Sequence, residues 1–105
     1  LLEVTRERLE EQNYLLYIYT PFCGTCQLAR TMLEKIEEVH QQEIFCEMNA
    51  SLYPEFMHAN QIESVPCLVI KQNNVLAEKI YAFHSIPNIY QYLFQYKPEL
   101  FNEKS

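Results

Sequence analysis

The chain is 105 residues long, 49% apolar by side chain, and carries a formal net charge of −6. That length holds one hydrophobic core and therefore one domain, 1–105. The acidic balance argues against a nucleic-acid binder, which needs a basic patch, and against docking on an anionic membrane surface. No run of ~18 apolar residues is present to span a membrane, and no secretory leader is visible at Leu1-Leu2-Glu3.

In chain order, Thr5–Asn13 is charged and reads as a short helix. Tyr14–Thr20 (YLLYIYT) is a continuous apolar and aromatic run of strand length, as in a strand covered on both faces. Pro21 ends it. From Cys26 to about His40, Leu28, Ala29, Met32, Leu33, Ile36 and Val39 recur at helical spacing. Glu43–Met48 is a second strand. Ser51 is placed to cap a helix over Leu52–Asn60 that accepts Pro54 in its first turn. Cys67–Lys71 is a third strand, and Gln72-Asn73-Asn74 is a turn into a fourth over Val75–Phe83. Ser85 caps a last helix starting beside Pro87, with Ile86, Ile89, Tyr90, Leu93 and Phe94 on one face and Pro98 as its stop. The tail Asn102–Ser105 is expected to fray. This order predicts an α/β domain: a parallel βαβ unit, then a hairpin and a helix, giving a mixed sheet with helices on both faces.

Of the four cysteines, Cys23 and Cys26 form a C-x-x-C where a strand ends and a helix opens. The placement matters more than the spacing. Free backbone N–H groups and the helix dipole at such a point favour an anion, so a cysteine there becomes a nucleophilic thiolate near neutral pH. Cys23, at the tip, is the expected attacker. Cys26, one turn in, is expected to resolve the mixed disulfide. Gly24, the single glycine, leaves room for a partner's backbone. By itself a C-x-x-C also fits a zinc ligand pair or an inert pair. Cys46 and Cys67 lie in apolar strands and read as packed thiols, although Cys67 follows Pro66 and could reach the pair. His40, His58 and His84 show no ligand spacing, so no metal is expected. Unpaired buried thiols fit a reducing compartment.

Thr20-Pro21-Phe22-Cys23-Gly24-Thr25-Cys26, then Ser64-Val65-Pro66-Cys67, then a hairpin and closing helix, resemble the thioredoxin family over nearly the whole chain. The resemblance implies a thioredoxin-like fold with a four-stranded mixed sheet. Counting strands from Tyr14–Thr20, its order is 2-1-3-4, in a minimal form without the family's first strand. It implies a cytoplasmic, monomeric protein disulfide reductase that needs no cofactor. Its partners would be disulfide-containing proteins and, as electron donor, a thioredoxin reductase or a low-molecular-weight thiol. Pro66 would be cis and packed on the cysteine pair, with Phe22, Gly24, Val65 and Pro66 holding the substrate. Two other readings stay open: a binding module with an idle cysteine pair, and a zinc or iron–sulfur protein ligated by Cys23 and Cys26, with or without Cys67.

The sequence departs from the family in several places, among them Phe22 for the usual Trp and Ala82 near a usual Gly. Thr25 stands where the motif usually has proline, and Thr31 where the helix usually has its kinking proline. The buried Asp and Lys behind the motif are replaced by Tyr17 and Glu47. Glu47 is therefore expected to lie behind Cys26 as its proton acceptor, aided by the Tyr17 hydroxyl. With no cation beside it, burial would raise its pKa above roughly 4.3.

Overall fold

The elements in chain order are β1 (Leu2–Glu3), α1 (Arg6–Leu9), β2 (Tyr14–Tyr19), α2 (Gly24–His40), β3 (Cys46–Asn49), α3 (Pro54–Ala59), β4 (Cys67–Gln72), β5 (Val75–Ile80) and α4 (Ile86–Tyr96). Short 3-10 turns follow β3 and α4. The computed structural model describes residues 1–102, so 103–105 of the expected frayed tail lie outside the described residues. The sheet order is β1-β3-β2-β4-β5, with β1, β3 and β2 parallel and the remaining pairs antiparallel.

The four expected strands take the expected order, but the sheet has five. Leu2 and Glu3 pair with Cys46 and Glu47 and add an edge strand. Two residues carry no readable alternation, so only the pairing to β3 reveals this strand.

β2 is central because both its faces are covered. Leu15 and Tyr17 pack with Ala29, Leu33 and Ile36 of α2 and Ile89 and Leu93 of α4. Leu16 and Ile18 pack with Met48, Cys67 and Val69, against which Leu9, Phe56 and Met57 lie. The long helices α2 and α4 thus cover one face, and the short α1 and α3 the other. Thr31 leaves α2 unbroken, its hydroxyl donating back to the Gln27 carbonyl at 3.0 Å.

Several element limits differ from the sequence reading, each for a tertiary reason. α1 stops at Leu9 because the next residues brace the distant hairpin: the Gln12 carbonyl and Asn13 side chain accept from the N–H groups of Asn74 and Asn73. β3 begins at Cys46 because the N–H groups of Ile44 and Phe45 donate to the Glu37 carboxylate, each at 3.0 Å, and not to a strand. Asn49, not Ser51, caps the turn that precedes α3, and α3 starts only at Pro54. β5 ends at Ile80, short of Phe83. Ser85 caps α4 as expected, its hydroxyl accepting from the Asn88 N–H. Phe94 is more than half exposed rather than on the buried face, and rests on Phe101 with ring centroids 4.2 Å apart.

Among the described residues, five other than glycine take positive φ: Phe22, Gln41, Gln61, Asn73 and Asn74. Asn73 and Asn74 fit the two-residue hairpin turn, which needs left-handed backbone at both positions. Gly24 is not at a positive φ, and a Cβ there would meet nothing within 4 Å.

Candidate thiol–disulfide site

β2 delivers the chain to the end of the sheet where α2 begins, and Pro21 with Phe22 makes the corner. Phe22 holds φ 61° and its side chain is fully exposed. A left-handed bulky residue is uncommon and disfavoured; here it turns the ring outward beside the cysteines.

Cys23 is the N-cap of α2, and its Sγ accepts from the Cys26 N–H at 3.2 Å. Its sulfur thus occupies the place usually taken by a capping oxygen. A thiolate at this atom is stabilised by that N–H and by the helix dipole. The Thr25 hydroxyl lies 3.5 Å from the same sulfur. Cys23 and Cys26 are joined as a disulfide, with Cα atoms 5.2 Å apart. Cys23 is half-buried and Cys26 buried. Helix geometry sets that difference, since Cys26 is one turn into α2 on the face that meets the sheet.

The antiparallel register sets Ile18, at the end of β2, opposite Cys67, at the start of β4. Val65 and Pro66 therefore reach the same end of the sheet as Cys23. The Val65-Pro66 bond is cis, and both residues are half-buried. Two side chains of the neighbouring hairpin arm hold the preceding loop. The Lys79 ammonium donates to the carbonyls of Asn60 and Gln61, and the Tyr81 hydroxyl accepts from the Glu63 N–H.

Tyr17 and Glu47 are register partners on neighbouring strands and face α2 together. The expectation that no cation faces Glu47 is overturned. Arg30 of α2 forms an ion pair with the Glu47 Oε1. No aligned hydrogen bond reaches that buried oxygen, so the contact is a close approach of charges. The Arg30 guanidinium also lies 6.0 Å from the Tyr17 ring centroid and 5.4 Å from that of Tyr19. Tyr17 is committed elsewhere, its hydroxyl donating to the Cys26 carbonyl. Burial, with Glu47 nearby, pushes that hydroxyl up to about 12 against the opposing Arg30. Tyr17 therefore stays a proton donor and does not serve as an acceptor. Behind the disulfide is a cavity of about 90 Å³ lined by Tyr17, Tyr19, Thr20, Pro21, Cys23, Cys26, Gln27 and Arg30. Arg30 is the residue that sequence reasoning missed. Its signal was its position four residues after Cys26, which puts both on one helix face.

Cys46 and Cys67 are free and buried. Both belong to the cluster on the far side of the sheet from α2. Among the described residues, no three His, Cys, Asp or Glu side chains converge on a metal-sized site. Burial raises the Cys46 thiol against the nearby Arg8, and pushes Cys67 up to about 12. Alkylation of the reduced native protein at pH 8 should therefore mark the half-buried Cys23 first and spare Cys46 and Cys67 until it is unfolded. Mass analysis of labelled peptides checks this.

The same burial makes the fold sensitive to alkali. Cys67, Tyr14 and Tyr17 rise to about 12 from ordinary values of 9.0, 10.0 and 10.0. Between those limits the unfolded chain releases protons that the folded chain retains. Stability should thus fall as pH rises from about 9 toward 12. Urea melts across that window test the sign.

A family model described as Thioredoxin matches residues 3–94. The thioredoxin-like protein YusE of Bacillus subtilis (strain 168) is 43% identical over 95 residues, covering 90% of each chain. Among solved structures, a single-residue mutant of a thioredoxin from Halobacterium salinarum NRC-1 superposes with a TM-score of 0.75 at 17% identity. That match covers 91% of this chain and 88% of the other. Mitochondrial thioredoxin 3 from Saccharomyces cerevisiae, in its oxidised form, gives 0.70 at 15% identity over 86% and 85%. The two structures establish a shared fold, and the family match with the close relative establishes descent. The chain belongs to the thioredoxin family, whose general chemistry is exchange between thiols and disulfides.

Proposed function

We propose that the protein is a protein disulfide reductase that works through Cys23 and Cys26. The observation that carries this reading is the capping geometry: a half-buried Cys23 sulfur receives the Cys26 N–H at the start of α2, with Cys26 buried behind it. The Cys23 thiolate attacks a substrate disulfide, forming a mixed disulfide and releasing one substrate thiolate. The Cys26 thiolate then attacks the Cys23 sulfur. The enzyme disulfide forms, the second substrate thiolate leaves, and two electrons have passed to the substrate.

Phe22, Gly24, Val65 and Pro66 form the substrate-binding rim. Phe22 offers an exposed ring, Gly24 an open approach to the sulfurs, and Val65 a backbone for an extended peptide. Glu47, paired with the cavity-lining Arg30, takes the proton that Cys26 gives up. A thioredoxin reductase or a low-molecular-weight thiol returns the enzyme to its dithiol form. Two unpaired buried thiols suit a cytoplasmic, reducing setting.

The test is turnover in insulin reduction with dithiothreitol as the electron source. Insulin precipitation well ahead of the dithiol-only control is expected. A rate equal to that control would overturn the reading and favour a docking module with an idle disulfide.

A further inference from the structure

We propose that Arg30 is the shared counter-ion of Glu47 and of the Cys26 thiolate, and so sets the rate at which the mixed disulfide is resolved. The inference rests on the resolving role of Cys26 given above. Arg30 is four residues beyond Cys26 on α2, a spacing that brings side chains to about 5–6 Å of each other at Cβ. It lines the cavity behind the disulfide together with Cys26, while Glu47 does not line it. Its guanidinium pairs with Glu47 on the other side and is held over the Tyr17 and Tyr19 rings. Glu34, 3.8 Å away, is its second and more exposed partner. The charged and titratable groups around the cavity are thus Cys23 at the cap of α2, Cys26 and Arg30 of α2, Tyr17 and Tyr19 of β2, Glu47 of β3 and, facing Tyr19 from β1, Glu3. Arg30 is the one cation among them.

The consequence is electrostatic. When a proton passes from Cys26 to Glu47, one anion disappears and another appears, and the same guanidinium faces both. The net charge of the cluster does not change, so the transfer avoids creating an uncompensated buried anion. The Cys26–S⁻ then attacks Cys23, and the substrate leaves as a thiolate.

The magnitude follows from two opposing effects. Loss of a facing cation shifts a thiol by roughly one unit or more, about tenfold less thiolate at neutral pH. A more basic thiolate is intrinsically more reactive, which returns about threefold. Arg30→Met should therefore resolve about threefold more slowly at pH 7, and faster than wild type once pH exceeds both midpoints. A lost structural support has no reason to produce that crossing.

Single-turnover reaction of the reduced protein with a chromogenic aromatic disulfide separates the steps, because the attack by Cys23 and the resolution by Cys26 each release one thiol. Across pH 5–11, Arg30→Met is expected to move the second release to higher pH and leave the first nearly in place. Arg30→Lys, which keeps the charge, should restore most of the wild-type profile. The shift should persist in a Glu47→Gln background, since Arg30 acts on Cys26 directly. An unmoved second release in Arg30→Met, or a shift that vanishes in the Glu47→Gln background, would overturn the proposal. A Cys26→Ser protein that traps no mixed disulfide would instead overturn the reading beneath it. Thermal melts of each variant check folding, and the Glu47→Gln background, in which Arg30→Met leaves no buried carboxylate unpaired, carries the comparison if the single variant is destabilised.

Discussion

Cys23→Ser is expected to lose insulin reduction completely, falling to the rate of the added dithiol, while Cys26→Ser accumulates covalent mixed disulfides with its substrates. The asymmetry comes from placement along α2. Cys23 is the half-buried N-cap whose sulfur receives a backbone N–H; Cys26 is buried one turn later. A serine hydroxyl forms no nucleophilic anion near neutral pH, so the first attack cannot start. Serine is also a good N-cap, so Cys23→Ser should keep its melting temperature within a few degrees of the reduced wild type. Stability then stays level while activity disappears, which separates chemistry from folding. Nonreducing electrophoresis and intact-mass measurement after exposure to insulin read the trapped species. Trapping by Cys23→Ser and not by Cys26→Ser would exchange the two roles.

Glu37→Ala should be strongly destabilising, costing about 3 kcal/mol. Glu37 is only 9% exposed on the last turns of α2, and its Oε2 accepts the N–H groups of Ile44 and Phe45 at 3.0 Å each. Hydrogen bonds to a charged acceptor contribute about 1.5–3 kcal/mol apiece, and both donors would be left without a partner beside the core. Partial access of water to the vacated space keeps the expected total below the sum. Because the two donors lead directly into β3, the loss loosens the entry of a strand that pairs on both sides. A fall in Tm of roughly 10 °C or more is expected for a domain of this size. Glu37→Gln retains one acceptor and should lose about half as much. A change under about 1 kcal/mol in urea melts of the alanine variant would show that the carboxylate does not organise the turn.

Much of the redox site was legible because its signals are local. The apolar run ending at Thr20, the corner at Pro21 and the cysteine spacing place Cys23 at a helix start by chain geometry alone. The same holds for the existence of the four longer strands and for the Ser85 cap, which depend on periodicity and on bonds between near neighbours, whereas the order of those strands in the sheet was implied by the family resemblance. Thr25 and Thr31 were also readable as departures, since a missing proline is evident without any partner.

Other features depended on residues far apart in the chain. Glu47 was expected to face no cation because the lysine that the family places behind the motif is absent here. Arg30 reaches it from a helix seventeen residues earlier, across a sheet–helix gap that only packing creates. The two-residue strand β1 exists because the β3 edge was free to pair with it. The late start of β3 reflects a carboxylate from α2 claiming two N–H groups that would otherwise serve a ladder. The sequence by itself determined the helix-start placement of Cys23 and the succession of the longer elements along the chain, because backbone geometry and periodicity act over a few residues. The tertiary structure decided which charge stands behind Cys26 and where the strand ends fall. Those outcomes turn on side chains that meet only after the sheet and its helices have packed.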